Sequence, residues 1–136
     1  MAQAVEEPGY AVDENSKEGF IRLKIKIDGL KVKSQGLSIL NKLQGTHPHP
    51  ESKNATIEKP EIHKRGFALE VKGGLDTSMK GAHYRLAIKQ LPYDIDVDGC
   101  YLKGEDGWLY LFLKKQEAYQ SWEKYIREGN LETSSD

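Results

Sequence analysis

In a chain of 136 residues, 20 Lys and Arg nearly cancel 21 Asp and Glu, so no global field steers it toward nucleic acid or an anionic membrane. The length suits one domain with tails, and the single cysteine, Cys100, rules out an internal disulfide or a cysteine-built zinc site and agrees with a reducing compartment. No window approaches the roughly 20 apolar residues of a membrane-spanning helix. The acidic opening lacks the apolar run of a secretory signal, so cytosol or nucleus is the expected location.

Residues 1–18 are polar and read as a flexible tail, ordered only if Tyr10 and Val12 dock. FIRLKIKI then places Ile21, Leu23, Ile25 and Ile27 on one face and Arg22, Lys24 and Lys26 on the other, the pattern of a half-buried strand with a basic outer face. Asp28-Gly29 ends it. Residues 31–54 read as an inserted loop, carrying either a second short strand or a short amphipathic helix over residues 37–43. Its last part, THPHPESKN, is irregular because Pro48 and Pro50 remove donors and fix their own φ.

ATIEKPEIH is extended, with Pro60 confining it to an edge or a bulge. GFALEVKGG sets Phe67, Leu69 and Val71 against Ala68, Glu70 and Lys72, and a further strand follows over residues 84–89. Leu91-Pro92 turns the chain into a short strand at residues 100–103. Glu105-Asp106-Gly107 then returns it into a last strand, Trp108 to Lys114. Beyond Lys115 the period changes: Tyr119, Trp122, Tyr125 and Ile126 predict an amphipathic helix over residues 116–129, stopped by Gly129 and followed by a disordered tail, 130–136.

Short strands joined by tight turns predict an all-β, two-sheet antiparallel sandwich with a C-terminal helix. The order strand, L-P-x-x-I-D-x-D, short strand, acidic-Gly turn and G-W-L closely resembles the C-terminal half of the alpha-crystallin domain of small heat shock proteins, the HSP20-like fold. Leu91, Pro92, Asp96, Gly107, Trp108 and Leu109 carry that likeness. FALEVKGG resembles the family's L-x-V-x-G strand, and IKIDGL its D-L-P-G strand exit, with Asp28 in place of the proline. Three features depart from it: NLETSSD lacks the I-x-I/V tail motif, the loop between Val71 and Tyr84 is short, and residues 31–54 are inserted. These departures resemble instead the CS domains of co-chaperones, as does Trp122 following the last strand.

Both resemblances imply a non-enzymatic, protein-binding module without cofactors, acting as a chaperone or as an adaptor in a multiprotein complex. The CS likeness implies a large ATPase chaperone as partner. Partners would bind through strand edges and a groove between residues 56–62 and 100–103, lined by Ile57, Ile62 and Leu102. Without the tail motif and the long swap loop, assembly is expected to stop at a dimer or small hetero-oligomer.

Other candidate sites read more plainly. His47, His49 and His63 have no assured further ligand and read as solvated loop histidines. Cys100 has no base in its motif and reads as a small buried apolar residue. Gly73-Gly74 and Gly104 to Gly107 match no phosphate-binding spacing. No acid, base and nucleophile converge in any motif, so neither catalytic nor metal residues are expected.

The basic stripe of Arg22, Lys24 and Lys26, with Lys31 and Lys33, shows no aromatic interleaved along its own strand. Nucleic-acid contact is therefore only a minor alternative. Trp108 reads as core. Tyr110 and Phe112 either pack beneath another element or, with Trp122, form an exposed partner-binding patch.

Overall fold

The computed structural model describes residues 5–33, 50–129 and 131–132. Among them, period-two alternation builds eight strands: β1 Tyr10–Asp13, β2 Phe20–Lys26, β3 Ala55–Ile57, β4 Glu61–His63, β5 Gly66–Gly73, β6 His83–Ile88, β7 Tyr101–Glu105 and β8 Trp108–Lys114. One antiparallel sheet has the order β1-β2-β8-β7. In the other, β5 pairs with β3, β4 and β6. Val71 of β5 lies opposite both Ile57 and Tyr84, and Phe67 opposite both Ile62 and Ile88, so β3 and β4 share one edge of β5 and β6 takes the other. The break between β3 and β4 contains Pro60, which has no N–H to offer a ladder.

The core lies between the inner faces of the sheets. Ile21, Leu23 and Ile25 of β2 and Leu109, Leu111 and Leu113 of β8 are all 0% exposed, and they join Phe67, Leu69, Val71, Leu86 and Ile88 in one cluster. Each such side chain contributes about 1.5–3 kcal/mol by leaving water, so β2 and β8, paired through seven residues, form the spine of the molecule.

The motif residues close this core. Leu91 is fully buried, and its turn is fastened by Arg65, whose Nε–H and Nη2–H donate to the carbonyls of Leu91 (2.9 Å) and Pro92 (3.1 Å). The Asp96 N–H donates to the Lys114 carbonyl at 2.8 Å and starts a 3-10 turn, Val97–Gly99, leading into β7. At the β7–β8 turn Gly107 has φ of +85°, a left-handed conformation that a side chain would strain.

Three segments differ from the expectations drawn from the sequence. Residues 10–13 form an edge strand on β2 instead of a flexible tail, because Tyr10 and Val12 pack against the core and Arg22 and Asp13 pair across the strands at 3.0 Å. The C-terminal helix, α1, spans only Glu123–Arg127. Tyr119 is fully exposed, whereas Trp122, at the N-cap, is 0% exposed and packs against Tyr93 with ring centroids 5.9 Å apart. Within the tail expected to be disordered, 130–136, Leu131 is buried, and the Glu132 carboxylate accepts from the N–H groups of Lys89 (3.1 Å) and Gln90 (2.5 Å). The strand-or-helix alternative at residues 37–43 lies outside the described residues.

Candidate partner-binding surfaces

The expected groove is not lined as the sequence suggests. Ile57 and Leu102 are 4% and 3% exposed and point into the core; only Ile62 is half-buried at its margin. Alternation explains this: the inward positions of β3 and β7 hold the apolar residues, so these cannot also be outward-facing pocket walls. The two feet of the insertion also lie against β7. Lys33 N–H donates to the Glu51 carbonyl and Lys53 N–H to the Lys31 carbonyl, both at 2.8 Å, making a two-rung ladder. Val32 N–H donates to Asp106 Oδ1 at 3.0 Å, and a Cβ placed on Gly104 would come within 3.1 Å of both Pro50 and Val32. The chain itself therefore covers the inner face of β7 at Gly104. Buried Asn54 anchors the base, donating to the Gly29 carbonyl at 2.8 Å and accepting from Lys31 N–H at 3.0 Å.

A second surface is built by strand register. Lys24 lies opposite Tyr110, Arg22 opposite Phe112 and Lys26 opposite Trp108, while on β7 Tyr101 lies opposite Phe112 and Lys103 opposite Tyr110. Directly opposed residues share a face, so the basic stripe of β2 and the aromatic stripe of β8 form one outer surface. There the cations rest on the rings. Lys24 Nζ is 4.5 Å from the Trp108 centroid, Arg22 lies 5.3 Å from that of Tyr110, and Lys17 lies 4.6 Å from that of Phe20. Lys17 Nζ also donates to the Tyr101 hydroxyl at 2.7 Å. Tyr101 and Phe112 stack at 4.7 Å with planes 9° apart, and Phe20 meets both edge-on. The Tyr110 hydroxyl donates to Glu105 at 2.6 Å, and that bond, with burial and the Glu105 charge, pushes the phenol pKa up.

Three expectations change accordingly. Trp108 is half-exposed on the outer face and is not core, although Leu109 beside it is. Tyr110 and Phe112 lie beneath neither the other sheet nor α1; they are half-buried under the cations of β2 and β7. Trp122 is interior and cannot belong to an exposed patch. The aromatic interleaving that the basic stripe lacks along β2 is supplied from β8, and Lys17, Phe20, Tyr101 and Lys103 belong to the same surface. The even-numbered positions of β2 and β8 hold that signal, but only a pairing register brings them together.

The remaining candidates are quieter. His63 is exposed on β4, and His47 and His49 lie outside the described residues. Among the described residues no group of three His, Cys, Asp or Glu is placed to hold a metal ion. Cys100 is buried, accepts from Lys114 N–H at 3.3 Å, and burial pushes its thiol pKa up to about 11. His83 and Glu70 pair across β5 and β6, and the hydrogen bond from the imidazole holds the Glu70 carboxyl below its ordinary value. No helix among the described residues is long and apolar enough to cross a membrane. No protein-family model matches the chain, and no curated protein matches it significantly.

Proposed function

We propose that this chain is a non-enzymatic protein-binding module, a β-sandwich of the alpha-crystallin or CS type, acting as an adaptor or chaperone within a multiprotein assembly. The observation that carries this reading is the edge strand β7. It pairs with β8 on one side, and no strand among the described residues pairs with its other side. Such an edge presents backbone N–H and C=O groups that an extended segment of a partner can pair with. The Leu91-Pro92 turn held by Arg65, the Asp96 entry to β7 and the Gly107 turn into β8 support this reading, since the residues that carry the motif resemblance stand at turns and at the entry to a strand. On this reading Ile62 borders the partner site, and Ile57 and Leu102 support it from the core.

The test is capture from native extract by the immobilised full chain, with mass spectrometry. A fixed stoichiometric set is expected for an adaptor, and a broad set of unfolded proteins for a chaperone. A large ATPase chaperone would indicate the CS co-chaperone role. No enrichment over an inert β-sandwich of similar charge would contradict the module reading.

A further inference from the structure

The outer face of the β1-β2-β8-β7 sheet carries a pattern that edge binding does not use. On β2 the side chains of Arg22, Lys24 and Lys26 recur every second residue, roughly 6.8 Å apart at the rise of an antiparallel strand. The parallel stripe of β8, Trp108, Tyr110 and Phe112, has the same period and lies directly opposite. Lys103 on β7 continues the positive charge beyond the aromatics, its Nζ 5.8 Å from the Tyr101 centroid and 5.9 Å from that of Phe112.

Carboxylates on this face are engaged: Asp13 pairs with Arg22 at 3.0 Å, and Glu105 accepts from Tyr110 at 2.6 Å. Lys26 also lies 3.8 Å from the exposed Asp28.

The orientation of the rings decides between ligands. A nucleobase needs an open ring face to stack on. Here rings and cations already lie against the rings: Tyr101 and Phe112 cover one another, Lys17 Nζ is 4.9 Å from the Tyr101 centroid, and Lys24 and Lys26 stand over Trp108. Ring edges and ammonium heads remain to meet a partner, and both are electropositive. Such a surface is matched by carboxylates, with apolar groups filling the spaces between rings and lysine stems.

We infer that this face binds an extended protein segment in which acidic and apolar residues alternate. Laid along the β2–β8 seam, such a segment sends every second side chain toward β2 and the others toward β8, at the same roughly 6.8 Å repeat as the two stripes. Its carboxylates meet Lys24 and Lys26, and its apolar side chains meet Trp108, Tyr110 and Phe112. The inference rests on the protein-binding reading above and names a surface and a partner chemistry for it.

Fluorescence anisotropy with the full chain at low salt tests this, using three labelled probes: a twelve-residue peptide alternating Glu and Leu, its Glu→Gln counterpart, and a twelve-nucleotide oligothymidylate. The acidic peptide is expected to bind about tenfold more tightly than its neutral counterpart, and to weaken as salt is raised. Lys24→Gln with Lys26→Gln should weaken it about fivefold or more while the protein still unfolds in one cooperative transition; Lys24→Gln alone should show part of the loss. Equal binding of the neutral peptide, unchanged binding by the double variant, or tighter binding of the oligothymidylate would each overturn the inference. If it falls while extract capture still yields a partner set that the double variant leaves unchanged, the module reading survives; if capture is empty as well, both fall.

Discussion

The Lys115 ammonium lies 2.8 Å from the Glu14 carboxylate, across 101 residues of sequence, and the two side chains are only 7% and 15% exposed. The same carboxylate accepts from the Ser121 hydroxyl at 2.7 Å and the Trp122 N–H at 3.0 Å. One acidic side chain after β1 thus ties the end of β8 to the residue that opens α1, and it fixes where the buried indole of Trp122 sits.

Replacing Glu14 with Gln should cost about 3 kcal/mol, because the Lys115 charge would be left in the interior without its partner. Burial opposes ionisation of Glu14, but the hydrogen bonds from Lys115, Trp122 and Ser121 and the Lys115 charge outweigh it and hold its pKa below the ordinary value. A depressed folded pKa gives stability that is fully present above the unfolded value, near pH 4.3, and is lost as pH falls through the folded one. Urea unfolding of parent and Glu14→Gln is therefore expected to show a gap at pH 7 that narrows below about pH 4. A gap constant down to pH 2 would mean that the ion pair does not carry it.

Neighbouring residues on β8 should respond very differently to truncation. Leu109→Ala removes a fully buried side chain and should destabilise by about 2–5 kcal/mol. Trp108→Ala, on the half-exposed outer face, should cost about 1 kcal/mol, mostly contact with the stems and charges of Lys24 and Lys26. Thermal melts of the two variants would check this, and equal losses would return Trp108 to the core.

Cys100 should be inert in the native state. With its thiol pKa up to about 11 and its side chain buried, it is expected to resist a disulfide-exchange reagent at pH 8 and to react fully in denaturant. Rapid native labelling would show that the β7 entrance opens readily.

Gly104→Leu should dislodge the feet of the insertion, because its Cβ alone would press on Pro50 and Val32 at 3.1 Å. Hydrogen exchange at the Lys33 and Lys53 amides, both ladder donors, is expected to speed up by about tenfold or more, while β2 and β8 amides stay protected. Unchanged exchange would show that the feet do not depend on that contact.

What could be read from the sequence followed strict local periods. β2 and β8 were legible because Ile21, Leu23 and Ile25, and Leu109, Leu111 and Leu113, alternate without interruption. The turns were legible because Pro60, Leu91-Pro92 and Gly107 restrict the backbone themselves. Features that depend on distant partners were not. β1 exists through its pairing with β2, and α1 is short because Glu14 captures the Trp122 N–H where a longer helix would continue. The outer face was misread for the same reason: along β8 alone, Trp108, Tyr110 and Phe112 look like a second apolar side, and only the register with Lys24, Arg22 and Lys26 turns them into a mixed cationic and aromatic surface. Leu102 had the opposite error, an inward residue taken for a groove wall on the strength of its strand.

The central claim is that the module engages proteins through its strand edges, and backbone hydrogen exchange of the full chain bound to its captured partner tests it most directly. Added protection is expected at the amides of β7, Tyr101–Glu105, and of the split strand β3 and β4, Ala55–Ile57 and Glu61–His63, with the already protected spine β2 and β8 unchanged. A partner that binds tightly yet leaves the exchange of β7, β3 and β4 as it is in the free protein would contradict it.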